Sequence, residues 1–522
     1  MDYFDYIIIG AGSAGCVLAN RLSADSARSV LLLEAGGPDS DPKIHIPGLW
    51  GTHLGTQIDW AYETTEQVAC HHRKIHMPRG KVYGGSSSIN AMIYQRGHPN
   101  DYAHWTTLGN EGWDWEDVLP YFKKGQDQAR GESDFHATGG PLHVTDLLDI
   151  NPLSKAFVES ATAAGYLANT DFNDGNQDGF GLYQATQKGG RRQSSAEAFL
   201  RPALERSNLR ALPFATVLGL KFERKRCVGV NYVHEGKKKE VSVGQEVIIC
   251  GGAINSPQLL LLSGIGPAGS LHKLGINMVQ DLPGVGQNLQ DHVFFPHTFK
   301  IKSPISYANA FTEDEMSKYS QTQRGAFSST IAEAGGFVRL SETSQIPEIQ
   351  FHFVPSVVSA AEAPEGTEGF SVFPGLVHVQ SKGEITLQSA DPFVSPFINP
   401  NYLSEESDQA NIVKAFQISQ EIVSQLPLKE HEPEEFLPRQ PVTTYESMLN
   451  FIRSQATTMF HPAGTCKMGN DPNAVVNDRL QVHGVKGVRV ADVSIMPTLI
   501  NANTNAPAMM IGEKCADMIL NP

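Results

Sequence analysis

YIIIGAGSAGCVLANRL, residues 6–22, joins an apolar run to a glycine-rich turn and then to a helix-like segment. Tyr6 to Ile9 suits a buried parallel strand. Gly10 permits the tight turn that follows, and Gly12 lets a pyrophosphate approach the main chain. Gly15 allows the helix to pack closely on the strand, while Ser13 and Ala14 stand at a helix N-terminus that would face phosphates. A second apolar strand, SVLLLEAG, ends in Glu34 and Ala35, with Glu34 nineteen residues after Gly15. That interval suits a carboxylate accepting from ribose hydroxyls. Strand, glycines, helix, strand and acid together predict an α/β, Rossmann-like domain that binds a dinucleotide. The motif alone leaves nicotinamide and flavin dinucleotides open.

The chain has 522 residues, enough for two domains or for one elaborate domain with an inserted lobe. Hydrophobic residues make up 40% and charged residues 19%, a globular balance without low-complexity tracts. A net charge of -15 argues against a nucleic-acid partner, which demands a basic face. KFERKR (residues 221–226) and GKKKE (236–240) are basic, and both read as solvated positions of a hairpin. Six cysteines at positions 16, 70, 227, 250, 466 and 515 show no paired spacing, so neither a disulfide framework nor a zinc site is expected. No apolar run reaches the length of a membrane span. The expected location is cytoplasmic, with peripheral contact at an inner membrane left open.

After Glu34 the chain becomes irregular and leads into RGKVYGGSSSINAMIYQRG, residues 79–97. Gly84, Gly85 and three serines would bring main-chain N–H groups and hydroxyls against a phosphate or a ring edge. Ile89, Ala91, Met92 and Ile93 would anchor the far end in apolar packing, feeding a helix or strand, with Asn90 polar among them.

RGKVYGGSSSINAMIY and GAINSPQLLLLSGIG (residues 252–266) resemble the two signatures of the glucose-methanol-choline oxidoreductases, FAD-dependent enzymes acting mostly on alcohols. The likeness runs through GVGQNLQDH (284–292) and DPFVSPFINPNYLS (391–404) to NTNAPAMMIGEKCADMI (503–519). Choline dehydrogenases and bacterial aliphatic-alcohol dehydrogenases are the members most similar in appearance. Tyr83 departs from the aliphatic residue usual before the paired glycines. Some members attach FAD through a histidine at the position of Ile89, so the resemblance implies FAD held without a covalent bond. It implies flavin contacts at Asn90, Ala91, Met92 and Ile93, and an adenine-side contact at Val217. It likewise sets Asp492, Val493, Asn503, Asn505 and Ala506 against the cofactor.

FHPAGTCKMG, residues 460–469, contains the histidine that carries the chemistry in this reading. His461 precedes Asn505 by 44 residues, and in the family a histidine and a second polar residue before the last helix flank the reactive face of the flavin. An alcohol gives up hydride more readily when a neighbouring base accepts its hydroxyl proton, and a neutral imidazole does so near neutral pH. His461 is therefore expected as base and Asn505 as the group orienting the alcohol oxygen. Asn505 also stands near the N-cap of a closing helix, Pro507 to Leu520, whose N-terminus would favour a negatively charged reduced ring. Phe460 and Pro462 would fix the imidazole's approach. Cys466 has no clustered ligands beside it, so no metal is expected; HHRKIH (71–76) reads as a solvated loop, and no GxSxG elbow stands ready for acyl transfer.

Residues 293–301, 331–340, 348–355, 370–380 and 384–389 read as strands of an antiparallel sheet, with a helix over 409–426 covering it. The expected division is FAD-binding segments at 1–150, 201–292 and 446–522, with a substrate lobe from 151–200 and 293–445. Its pocket would lie between sheet and flavin. Glu333 is the acid to watch for substrate choice, by analogy with choline-handling relatives, and His378 is a second lining candidate. The implied reaction is oxidation of a primary, non-sugar alcohol, with oxygen, a quinone or another carrier as electron acceptor and the oligomeric state open. The alternative is a lyase acting on cyanohydrins with FAD kept as structure.

Overall fold

The computed structural model describes residues 2–358, 363–364 and 366–522. The strand Asp2–Ile9 lies at the centre of a seven-stranded sheet, parallel to Val30–Leu33 on one side and to Lys237–Ile249 on the other. Leu209–Leu212 extends the sheet beyond Val30–Leu33, and Val488–Val490 pairs in parallel with the end of Lys237–Ile249. Ile7, Ile8 and the strand Val30–Leu33 are buried, as expected of a parallel sheet covered on both faces. Ala215–Glu223, Arg226–His234 and Lys237–Ile249 form an antiparallel meander, and the two basic stretches lie at its turns.

The helix Ser13–Leu22 leaves the first strand through Gly10, which has φ +99°. A Cβ on Gly15 would stand 1.9 Å from the carbonyl oxygen of Gly10, so only glycine permits this approach. The C-terminal helix Asn505–Leu520 packs alongside Ser13–Leu22, with Arg21 ion-paired to buried Glu513. Both N-termini consequently open on the same side.

A second, eight-stranded sheet is antiparallel throughout. Its main path runs Glu434–Leu437, His297–Lys300, Gly369–Leu376, Ile349–Val354, Ala334–Val338, Gly179–Leu182, while Val293–Phe294 joins Gly369–Leu376 to Thr457–Thr458. Residues alternate between its faces. Phe351 and Phe353 turn to one side, where Phe353 stacks on Phe157 of the helix Pro152–Ala163 at 4.6 Å between centroids. Gln350, His352 and Val354 turn to the other, and that face is the one presented toward the first sheet. Glu406–Val423 covers the aromatic face and ends at Val423 rather than running to 426, with Leu426–Lys429 a separate short helix.

Several sequence expectations need adjustment. Residues 384–386 pair with Phe397–Asn399 in a separate ribbon instead of joining the second sheet. Residues 331–333 precede their strand, and residues 86–93 form the short turn Gly85–Ser88 and an irregular loop. Helix Tyr445–Gln455 and strand Thr457–Thr458, expected with the FAD-binding part, pack with the second sheet's elements. Among the described residues no helix is long and apolar enough to cross a membrane.

Candidate active site

Between the two sheets lies a cavity of about 840 Å³. At one end it is walled by Gly10, Gly12, Ser13, Ala14, Glu34 and Ala35. Gly85, Asn90, Ala91, Met92 and Ile93 line its middle, Val217 lines the flank on the meander, and Asp492, Val493, Asn503 and Asn505 line the opposite wall. Phe460 and His461 stand against the second sheet. Gly15, Gly84 and Ala506 support this lining without belonging to it: Gly15 packs on Gly10, Gly84 N–H donates to Ala11 O (2.8 Å), and Ala506 is buried in its helix.

The acid that ends the second strand does more locally than the sequence suggests. Glu34 Oε2 accepts from Ala11 N–H (2.8 Å) and Oε1 from Gly36 N–H (2.8 Å), so the carboxylate holds the glycine turn while keeping acceptor capacity for a cavity ligand. Burial pushes its pKa up to about 7 despite those two donors. Asp492 plays the matching part across the cavity, accepting from Gly252 N–H (2.9 Å) and Ser256 Oγ (2.6 Å) at the start of the helix Gly252–Leu262.

His461 is held from three directions. Its N–H donates to Asp291 Oδ1 (2.9 Å); its Nδ1 meets Nδ1 of His292 at 2.9 Å, the rings perpendicular at 88°. Its Nε2 lies 3.1 Å from Asn503 Nδ2. Asn503 Oδ1 accepts from Gln350 Nε2 (3.0 Å), which fixes the amide with its N–H₂ toward the imidazole. Asn503 can then only donate to Nε2, so the ring proton is assigned to Nδ1 and shared toward His292. Burial, reinforced by His292, His352 and Arg79, holds the His461 pKa well below the ordinary value; burial alone takes His352 to about 4, and it dominates at His292, taken to about 3. The three imidazoles are neutral at pH 7.

The hydrogen bond to His461 comes from Asn503, whereas Asn505 bonds elsewhere. Its Oδ1 accepts from Ser13 Oγ (2.7 Å), tying the two helix N-termini together, and the helix begins at Asn505 with Thr504 in the N-cap position. Only Thr504 separates Asn503 from Asn505, yet at the entry into the helix their side chains take different partners. Glu333 is also elsewhere: its oxygens accept from Ser154 Oγ (2.7 Å), Ser329 Oγ (2.6 Å), Asn151 N–H (2.9 Å) and Tyr307 OH (2.5 Å), and it does not line the cavity. His378 is exposed and lies outside the cavity as well.

Residues absent from the sequence reading complete the site. Asp291, 170 residues before His461, accepts from Thr458 Oγ1 (2.6 Å) and from Tyr402 OH besides the His461 N–H. Arg79 donates to Phe460 O (2.6 Å). Phe460, Met92 and Ile331 all line the cavity with positive φ (70°, 61° and 66°), a conformation that side-chain-bearing residues rarely adopt and that clusters at functional sites. Elsewhere Asp39, His45 and Glu197 come together, but Arg201 bridges both carboxylates and supplies the positive charge there.

The cavity fits a flavin dinucleotide on its own features. The helix Ser13–Leu22 has no side-chain cap and opens on the cavity, as a pyrophosphate requires; Asn505–Leu520, equally uncapped, opens beside it. The cavity runs from the first glycine turn past the second glycine loop to His461, long enough for an extended dinucleotide. Fold and site thus define an FAD-dependent oxidoreductase of the two-sheet kind.

Comparison with known proteins agrees. A family model described as GMC oxidoreductase matches residues 4–294, and its C-terminal counterpart matches 379–512, so the chain belongs to the GMC oxidoreductases. It is 42% identical to an alcohol dehydrogenase [acceptor] of Pseudomonas putida, over 99% of this chain and 96% of that one. It is 42% identical to the mitochondrial choline dehydrogenase of Mus musculus, over 99% and 89% respectively. Among solved structures, pyridoxine 4-oxidase from Mesorbium loti superposes with a TM-score of 0.91 at 32% identity, covering 99% of each chain.

Proposed function

We propose that this chain oxidises a primary, uncharged alkyl or aryl alcohol to its aldehyde, with His461 Nε2 as base and Asn503 Nδ2 as the donor that orients the alcohol oxygen. The observation carrying this reading is the His461 to Asn503 contact at 3.1 Å on the cavity wall, with both groups fixed from behind by His292 and Gln350. An alcohol oxygen seated between them would give its proton to Nε2 and accept from the amide as negative charge develops. FAD, when bound, supplies the acceptor for the hydride leaving the carbinol carbon. Ile89 lines the cavity where a covalent link would form and has no nucleophile, which supports non-covalent FAD.

The wall beside His461 supports the substrate class. Phe294, Phe373, Phe460, Val354, Ile331 and Phe311 make it apolar, and among the described lining residues the only carboxylates are Glu34 and Asp492, away from the second sheet. No acid there would pair with a quaternary ammonium group. Anaerobic mixing of the purified protein with 1-octanol, benzyl alcohol and choline tests this: loss of the oxidised-flavin absorbance is expected with the first two at far lower concentrations than with choline. Faster bleaching by choline would overturn the substrate class, and aldehyde release from a cyanohydrin with the flavin still oxidised would overturn the reaction. Repeating the turnover with oxygen, a quinone and an artificial dye identifies the electron acceptor.

A further inference from the structure

Arg192 is buried and, among the described residues, has no carboxylate in ion-pair reach. Its Nε donates to Ile44 O (2.7 Å), and its Nη1 donates to Ser87 O (3.1 Å), Asn90 O (2.7 Å) and Asn90 Oδ1 (2.9 Å). Nη2 is buried and makes no hydrogen bond. Burial alone lowers its pKa, to about 9, with no acid offsetting it. A cation buried with only carbonyl dipoles around it is costly and calls for an anion nearby.

Asn90 connects this cation to the cavity. Its Oδ1 accepts from Met92 N–H (3.0 Å) as well as from Arg192, so the carbonyl end of the amide is tied down on the side of the protein. The Asn90 side chain lines the cavity, which leaves its N–H₂ end to face that space. We propose that Arg192 is a fixed positive charge behind the flavin site: a positioning residue that locks the Asn90 amide with its donor toward the ring and favours the ring's reduced, negatively charged form.

This role rests on the reading that the cavity holds FAD. A neutral ring that accepts a hydride gains two electrons and one proton and so carries one negative charge. A unit charge within about 10 Å, at an effective dielectric near 20, shifts such an equilibrium by about tenfold or somewhat more. A carboxylate beside Arg192 would cancel that field, and among the described residues none is in ion-pair reach.

The test is the midpoint potential of the bound flavin, read from absorbance during anaerobic reduction against a reference dye. Arg192→Gln is expected to lower the reduction equilibrium constant at least ~10-fold, which is about 30 mV for two electrons. Arg192→Lys, which keeps the charge, is expected to stay within about threefold of the parent. His53 offers a second route that leaves Arg192 and its hydrogen bonds in place. It is buried, and after that burial the nearby Arg192 charge is the next cause holding its pKa below the ordinary value. His53→Asp would give the guanidinium a counter-charge, and the same downward shift is expected, which keeps the proposal testable if Arg192→Gln fails to fold. A flavin-loaded Arg192→Gln or His53→Asp within threefold of the parent would overturn the role, as would equal shifts in the Lys and Gln variants. Absence of flavin from the parent protein would sink the flavin reading itself; a yellow parent with unshifted variants would sink this role alone.

Discussion

Replacing Asn503 and Asn505 one at a time separates the residue that bonds to His461 from the one the sequence points to. In Asn503→Ala the donor facing His461 Nε2 disappears, and with it the hydrogen bond to the alcohol oxygen as that oxygen takes on negative charge. A hydrogen bond to a charged partner contributes roughly 1.5–3 kcal/mol. Removing one such donor from a developing oxyanion costs about 100-fold or more in rate. The two figures overlap near 3 kcal/mol, so flavin reduction should slow by about 100-fold. Gln350 Nε2 retains Tyr183 OH at 3.3 Å as a second partner, so the fold should survive the change. Asn505→Ala instead removes the acceptor for Ser13 Oγ, a neutral pair at 2.7 Å contributing about 1 kcal/mol. Its effect should fall on FAD retention, by a factor of about five, with the reduction rate within threefold of the parent. Single-turnover anaerobic stopped-flow with benzyl alcohol reads the rate, and the ratio of flavin to protein absorbance after gel filtration reads retention. Slower reduction in Asn505→Ala than in Asn503→Ala would refute the assignment of roles.

His461→Ala should retain FAD and reduce it at least ~100-fold more slowly, the usual size of base catalysis. Because burial lowers the His461 pKa, the imidazole stays deprotonated as pH falls, so the reduction rate should be flat from pH 8 to 6 and decline only below; a midpoint near 6.5 would contradict the buried, neutral base. Glu333→Gln should change the ratio of rates with 1-octanol and choline by less than about twofold, since the carboxylate faces Ser154, Ser329 and Tyr307 rather than the cavity; a large loss of choline turnover would place it at the substrate. Gly15→Ala should yield protein without FAD, because its Cβ would lie 1.9 Å from Gly10 O; normal flavin content by absorbance would show the turn can give way.

The dinucleotide end of the site was legible because its signal is local. Strand, turn and helix occupy residues 2–22, and every spacing that matters lies within a few turns of chain. The reacting end is built from distant pieces. Asp291 and His292 sit in a loop, within GVGQNLQDH, and their tie to His461 spans about 170 residues. An adjacent acid and histidine precede a strand there, but nothing in spacing says which one touches the ring. Asn503 and Asn505 fail for a different reason. Both are polar, both precede the last helix, and only the backbone turn at Thr504 decides which of them reaches His461. His352 and Gln350 were within reach of period-two reasoning, since IQFHFV places them on the face opposite Phe351 and Phe353.

The partner chosen for His461 bears on how the base works. Asp291 spends its oxygens on the His461 main-chain N–H, Thr458 and Tyr402, and none reaches the imidazole ring. A carboxylate on Nδ1 would stabilise the imidazolium and raise the pKa, giving a stronger base but one more often already protonated. His292 in that position accepts the Nδ1 proton without adding negative charge, and it is itself buried and neutral. As the proposed base, His461 would therefore stand empty at nearly every encounter with substrate, yet hold a proton weakly once it had taken one. Such a base cannot sustain a free alkoxide next to imidazolium for long, which ties loss of the hydroxyl proton to loss of the hydride from the adjacent carbon. Substituting deuterium at the carbinol carbon and at the hydroxyl should then each slow flavin reduction, and their combined effect should be multiplicative. A hydroxyl isotope effect of unity with a full carbon effect would mean that the proton leaves in an earlier equilibrium, and that the neutral His292 does not enforce this coupling.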